Sequence, residues 1–177
     1  MSAGKQGFVI WLTGLPGSGK TTIAKEVAKL LAEKGLDVEI LDGDEMRKVL
    51  SPEAGFSRED RERHIRRVAY VASLLAKHGV ATIVSLISPY RSAREYARSL
   101  VKNFIEVYVK CPLEVCMQRD PKGLYKKALA GEIRDLTGLQ DVYEEPQNPE
   151  VVVNTATEPA EQCVLKILKF LESKGLA

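Results

Sequence analysis

"FVIWLTGLPGSGKTT", residues 8–22, decides the fold. Its first six residues are apolar up to a closing threonine, the pattern of a strand buried on both faces. Gly14 follows, then four residues, then Gly19, Lys20 and Thr21, the complete spacing of a phosphate-binding loop. Next, "TTIAKEVAKLLAEKG" (21–35) carries apolar residues at helical spacing and stops at Gly35. Without its flanks the loop is only a glycine-rich turn. Between a strand and a helix it becomes a nucleotide site, expected to take ATP. The nucleotide-binding set is the run Gly14, Leu15, Pro16, Gly17, Ser18, Gly19, Lys20, Thr21 and Thr22. Glycines let the backbone turn its N–H groups toward phosphates, and the helix adds its positive end. Lys20 supplies charge at the β- and γ-phosphates, and the Thr21 hydroxyl can ligate Mg2+.

The same alternation runs outward from this stretch. "DVEILD" (37–42), "ATIVSLI" (81–87), "FIEVYV" (104–109) and "EVVVNT" (150–155) read as further strands. Between them lie a long helix at 57–79 with Ser57 as N-cap, a helix within 88–101, and one at 112–119 with Pro112 in its first turn. A closing helix covers 159–173. The expectation is an α/β fold: a P-loop NTPase-type parallel five-stranded sheet with helices on both faces. One domain is expected over 1–177. Residues 120–149 show no strand, and a segment of that length reads as a lid.

Composition narrows the function classes. The chain has 177 residues and a net charge of +2, with 28% charged residues. That is ordinary for a soluble domain and gives no sign of a nucleic-acid partner. No stripe of basic residues with interleaved aromatics appears. No apolar run is long enough to cross a membrane, and "MSAGKQG" lacks the apolar core of a signal peptide, so a cytoplasmic location is expected. Cys111, Cys116 and Cys163 have no metal-site spacing and read as buried free thiols.

An acceptor site can be sought among the charged residues. The third strand ends in Ser85, where a Walker B element would end in Asp. The acidic strand end is "LDGD" instead, with Asp42 and Asp44. Carboxyl ends of parallel strands share one crevice, so Asp44 can accept a proton from an incoming hydroxyl or hold the metal. Either aspartate can equally cap the helix that follows. Arg47 lies ahead of "GFSREDRERHIRR" (55–67), in which Arg61, His64 and Arg67 recur every third residue and share a helix face. Arginine forks suit phosphate or sulfate oxygens. Arg63 and Arg66 read as solvated. Phe56 is either core or a platform for a base. Ser88, beside Ile87 and before Pro89, can bond a backbone group or a phosphate oxygen.

In order, "LDGDEMR", "GFSREDRERHIRR", "ISPYRSAR", "EVYVKCPLEVCMQRDPKGLYKKA", "GEI" and "EEPQNPE" follow the pattern of adenylylsulfate kinases. The resemblance covers nearly the whole chain. It implies transfer of phosphate from ATP to the 3′-hydroxyl of adenosine 5′-phosphosulfate, a need for magnesium, and a homodimer. Carried over residue by residue, it places Asp44 beside the acceptor hydroxyl and Asp42 with it on the substrate side. Arg47 and Arg61 hold the phosphosulfate, Phe56 stacks on the acceptor adenine, and Ile87 and Ser88 border the acceptor. Arg119 and the segment Lys122, Gly123, Leu124 form a lid over both nucleotides. The resemblance assigns Ser88 a phosphoserine role; direct transfer between two bound nucleotides needs no such relay, so a positioning role is preferred. Two positions depart from the family pattern: His64 stands where Asn is usual, and Leu136 where Phe is usual. Histidine titrates near neutral pH, so an acceptor affinity that weakens between pH 6 and 8 is expected. The competing readings are another P-loop kinase for a nucleotide or small metabolite, and a nucleotide-binding regulatory module with little turnover.

Overall fold

The structure is a computed structural model and describes residues 7–177. Most of "MSAGKQG", read above for targeting, lies outside the described residues. Strand β1 (Phe8–Thr13) is followed by helix α1 (Lys20–Glu33), strand β2 (Val38–Asp42) and helices α2 (Gly43–Leu50) and α3 (Arg58–Lys77). Strand β3 (Ala81–Ser85), helix α4 (Arg91–Ser99) and strand β4 (Phe104–Lys110) come next. Helices α5 (Leu113–Arg119) and α6 (Leu124–Leu129), strand β5 (Val151–Asn154) and helix α7 (Ala160–Ser173) complete the chain.

The five strands pair in parallel in the order β2-β3-β1-β4-β5. Side chains alternate across a strand, so β1 feeds two cores. Phe8, Ile10 and Leu12 pack with Ile23, Val27 and Leu31 of α1 and with Ile167 and Leu171 of α7. Val9 and Trp11 face Ile65, Val68 and Ala72 of α3 and Tyr90 before α4. All six β1 residues are buried, which explains why the run is continuously apolar rather than alternating. A third cluster, with Cys111, Cys116, Tyr125, Ala128 and Leu136, lies under the segment between α5 and β5. The three cysteines are free and buried, as expected from their spacing.

Local signals explain most boundaries. Ser57 caps α3, its hydroxyl accepting from Asp60 N at 3.1 Å. Pro112 is the N-cap of α5 rather than a residue of its first turn, because its ψ of 143° is extended. Residues 120–149 contain no strand, as expected, although α6 gives them a turn and a half of helix.

Two facts position the site. Parallel pairing puts every strand's carboxyl end on one edge. β1 also has β3 on one flank and β4 on the other, so the chain crosses β1 between these two strands. Open α/β sheets bind ligands outside the carboxyl ends at such a switch.

Candidate active site

The loop after β1 is shaped by contacts that only glycine allows. A Cβ on Gly14 would lie 2.5 Å from the Val109 carbonyl oxygen of β4. Gly19, the N-cap of α1, sits at φ 98°, the left-handed region that favours glycine. Lys20 opens α1 and folds back over the loop. Its Nζ donates to the Gly14 and Leu15 carbonyls, each at 2.8 Å, and lies 3.4 Å from Ser18 Oγ. Burial pushes the ammonium pKa down from 10.5 to about 7.

Asp42, at the end of β2, does two things. Its Oδ1 accepts from Asp44 N at 3.0 Å and caps α2, and its Oδ2 lies 3.4 Å from the Thr21 hydroxyl. The carboxylate beside Thr21 is thus that of Asp42, whereas the sequence pointed to Asp44. The reason is the sheet: β3 separates β2 from β1, and the side chain ending β2 reaches across to α1. Asp44 does not cap α2. Its carboxylate pairs with the Lys122 ammonium, and both side chains are more than half exposed.

Arg47 and Arg61 flank Phe56. Their guanidinium carbons lie 4.6 and 5.8 Å from the ring centre. Phe56 is 60% exposed, which excludes the core reading and leaves its ring open to the cleft. Arg47 is anchored on the Ala54 and Gly55 carbonyls. Arg61 is 9% exposed and bonds Phe56 O at 2.8 Å, Thr137 Oγ1 at 2.5 Å and Asp135 O. It therefore ties α3 to residues 135–137 of the segment expected as a lid.

His64 is 4% exposed, with Nδ1 2.9 Å from Ser51 Oγ. Burial, with Arg47 and Arg67 nearby, drops its pKa to about 4. The imidazole is neutral from pH 6 to 8, so the pH-dependent acceptor affinity expected from the sequence is not supported. Arg67 stays beside His64 but is tied to the end of α2 and the turn that follows it. It bonds Leu50 O at 2.7 Å, Ser51 Oγ at 3.2 Å and Glu53 at 2.5 Å, fastening the α2–α3 turn. Arg63 pairs with Asp60, and Arg66 covers the Tyr96 ring.

Ser88 is 3% exposed at φ 43°, a strained angle for serine. Its Oγ accepts from the Trp11 indole N–H at 3.0 Å, and its carbonyl accepts from Arg94 at 2.6 Å. Arg94 also bonds Glu106 at 2.8 Å and the Glu144 carbonyl at 2.6 Å. This buried fork fixes the Ser88 loop to the end of the expected lid.

One cleft of about 1610 Å³ joins these groups. Pro16, Gly17, Gly19, Lys20, Thr21 and Thr22 line one part. Asp42, Asp44, Arg47, Phe56, Arg61 and His64 line another, and Ile87, Ser88, Arg119, Lys122 and Leu124 border it too. Gly14, Leu15, Ser18 and Gly123 do not line it. Gly14, Leu15 and Ser18 support the loop beneath Lys20, and Gly123 is the N-cap of α6 at φ 66°. Single-ligand pockets run to about 1,000 Å³, so this cleft has room for two nucleotide-sized ligands. Leu136 also lines it and is buried at 8% exposure. Thr155 is a site residue that the sequence reading missed. Its hydroxyl donates to Ser18 O at 2.7 Å, and Arg119 bonds its Oγ1 at 3.1 Å and its carbonyl at 2.6 Å. Its position just past the fifth strand was the available signal.

Magnesium bound with phosphates takes one or two protein carboxylates and keeps hard oxygen ligands. The Thr21 hydroxyl and the Asp42 carboxylate form such a pair. No group of three or more His, Cys, Asp or Glu side chains able to hold a metal occurs among the described residues. No helix among them is long and apolar enough to cross a membrane.

Comparison with known proteins bears on this site. The family described as Adenylylsulphate kinase matches residues 6–154. A probable adenylyl-sulfate kinase of Pyrococcus abyssi is 58% identical over 94% of this chain and 97% of its own length. The APS kinase of Mycobacterium tuberculosis, solved in complex with AMPPNP and APS, is 40% identical with a TM-score of 0.90, covering 94% of this chain and 98% of that one. A hexameric APS kinase from Thiobacillus denitrificans is 33% identical with a TM-score of 0.73, covering 98% of this chain but 30% of that one.

Proposed function

The chain belongs to the adenylylsulphate kinase family, and we propose from that premise how its cleft works. The protein is an adenylyl-sulfate kinase: ATP phosphorylates the 3′-hydroxyl of adenosine 5′-phosphosulfate, giving 3′-phosphoadenosine 5′-phosphosulfate and ADP. One observation carries the mechanism. A phosphate loop and an arginine–aromatic platform open into one cleft large enough for two nucleotides.

ATP lies with its triphosphate along the loop from Gly14 to Thr22. Lys20 leaves the Gly14 and Leu15 carbonyls for the β- and γ-phosphates. Thr21 and Asp42 are the residues that would hold magnesium, which would supply neutralisation of phosphate charge. The acceptor adenine stacks on the open face of Phe56, a flat apolar surface already flanked by two guanidinium groups. Arg47, with Arg61 behind it, draws the phosphosulfate. Asp44 accepts the proton of the 3′-hydroxyl, and the acceptor displaces Lys122 from it. Lys122 is then free to meet phosphate oxygens. Arg119 and Thr155 border the ATP end, and Gly123 and Leu124 carry the lid across. Closure excludes water and suppresses ATP hydrolysis. Ser88 positions the acceptor side of the cleft: its hydroxyl is already held by Trp11, and in-line transfer needs no covalent relay. Residues 1–177 act as one kinase domain in the cytoplasm, and the family resemblance supports a homodimer.

A panel assay tests this reading. Purified protein, ATP and magnesium are mixed with adenosine 5′-phosphosulfate, a nucleoside monophosphate or a sugar acid, and ADP release is followed. Release is expected only with the phosphosulfate. Comparable release with another acceptor, and none with the phosphosulfate, would contradict it.

A further inference from the structure

Ser51 at the end of α2 and His64 and Arg67 of α3 form a three-residue hydrogen-bond chain. Ser51, 1% exposed, is the C-cap of α2. Its hydroxyl oxygen accepts from Arg67 at 3.2 Å and lies 2.9 Å from Nδ1 of His64. His64 Nε2 is buried and has no hydrogen-bond partner among the described residues. His64 nevertheless borders the cleft, beside Arg47 and Arg61.

Proton counting decides the tautomer. A serine hydroxyl has one proton. Arg67 has no acceptor capacity, so Ser51 must accept from it. If Nδ1 carried the imidazole proton, Ser51 would accept twice, and its own buried proton would find no acceptor among the described residues. His64 Nε2 would then also be an orphan acceptor. If Ser51 donates to Nδ1, both atoms are satisfied, and a single group is left over: an N–H on Nε2. A buried donor without a partner is costly, so the arrangement with the fewest orphans wins.

We propose that Ser51 is a positioning residue: relayed from Arg67, its hydroxyl locks His64 in the Nε2–H form and gives the acceptor side of the cleft a neutral hydrogen-bond donor for an oxygen of the bound phosphosulfate. A neutral donor suits this place. Arg47 and Arg67 already supply positive charge, and a third cation would be repelled. The orphan Nε2–H gains a partner only when an anionic oxygen arrives, so the interaction favours the occupied cleft. This inference rests on the adenylyl-sulfate kinase reading of the cleft.

The test is nitrogen-15 NMR of the imidazole in the full chain, followed by kinetics. In the wild type, Nδ1 is expected as the bare nitrogen and Nε2 as the protonated one. Adding ADP and adenosine 5′-phosphosulfate is expected to shift Nε2 and the Phe56 ring together. In Ser51→Ala the two tautomers mix, and the KM for the acceptor rises about threefold to tenfold, the loss of one neutral hydrogen bond, while the KM for ATP holds. Ser51→Thr keeps the hydroxyl and restores both readouts. A proton on Nδ1 in the wild type overturns the proposal, and that measurement needs no variant to fold. A shift at Phe56 with none at Nε2 also overturns it while leaving the kinase reading intact. No shift at any cleft residue would remove the kinase reading, and the inference with it.

Discussion

Lys20 shows what a single side chain in this cleft must do. Its ammonium is buried against carbonyl oxygens of its own loop, and burial holds its pKa near 7. The folded value lies below the unfolded one. Between about pH 7 and 10.5 the unfolded chain therefore binds the extra proton, and folding stability from this group rises with pH. Nucleotide binding has the opposite sign. A triphosphate demands the charged form, so above pH 7 binding must take up a proton. At pH 8.5 about one proton is expected to enter with ATP, read as the dependence of calorimetric heat on buffer ionisation, and affinity is expected to fall with rising pH. No proton uptake at pH 8.5 would contradict this. Lys20→Ala is expected to cost about 2–4 kcal/mol of transition-state stabilisation, roughly 30- to 1,000-fold in turnover, with melting near that of the wild type. The two aspartates separate by the same kind of measurement. Asp44→Asn is expected to lower turnover about 100-fold or more with little effect on the magnesium requirement. Asp42→Asn keeps a competent cap, and the magnesium concentration needed for half-maximal rate is expected to rise. An Asp42→Asn enzyme with an unchanged magnesium requirement would remove that residue from the metal site.

Among the elements, α4 and the chain before β5 meet through a buried fork. Arg94, 3% exposed, holds Glu106, the Ser88 carbonyl and the Glu144 carbonyl at once. Glu106 also has Arg98 within 3.5 Å, and Arg98 continues to Glu150 at 2.6 Å. Removing one member leaves a charge buried without its main partner. Arg94→Met is expected to destabilise the fold by about 3–5 kcal/mol, and the double variant Arg94→Met with Glu106→Leu to recover part of it. Additive losses in the double variant, measured by denaturant unfolding, would show that the pair is not coupled. The sequence showed all five strands and the longer helices because apolar period and caps are local signals, whereas the short α6 inside the expected lid escaped it. It did not reveal Arg94, because its partner Glu144 is 50 residues away and a charged residue in an amphipathic helix reads as solvated. Thr155 was hidden for the same reason: its partner Ser18 lies 137 residues off. His64 was visible as a position but not as a neutral group, since burial by α2 is a tertiary fact.

At the scale of the molecule, one cleft at the carboxyl edge of the sheet gathers segments from Pro16 to Ala160. The phosphate loop was legible at once because its chemistry is contiguous. The acceptor side was legible only through the resemblance, because Arg47, Phe56 and Arg61 are commonplace residues until α2 and α3 bring them together. The choice between Asp42 and Asp44 at Thr21 required the strand order, which no local pattern encodes. If both nucleotides occupy this cleft together, the phosphoryl group passes once, in line, and Ser88 never carries it. ATP made chiral at the γ-phosphorus with oxygen isotopes tests that claim most directly. The account predicts inversion of configuration in the 3′-phosphate of the product; retention would mean two successive transfers, and would put a phosphoenzyme where the structure has a serine held by Trp11.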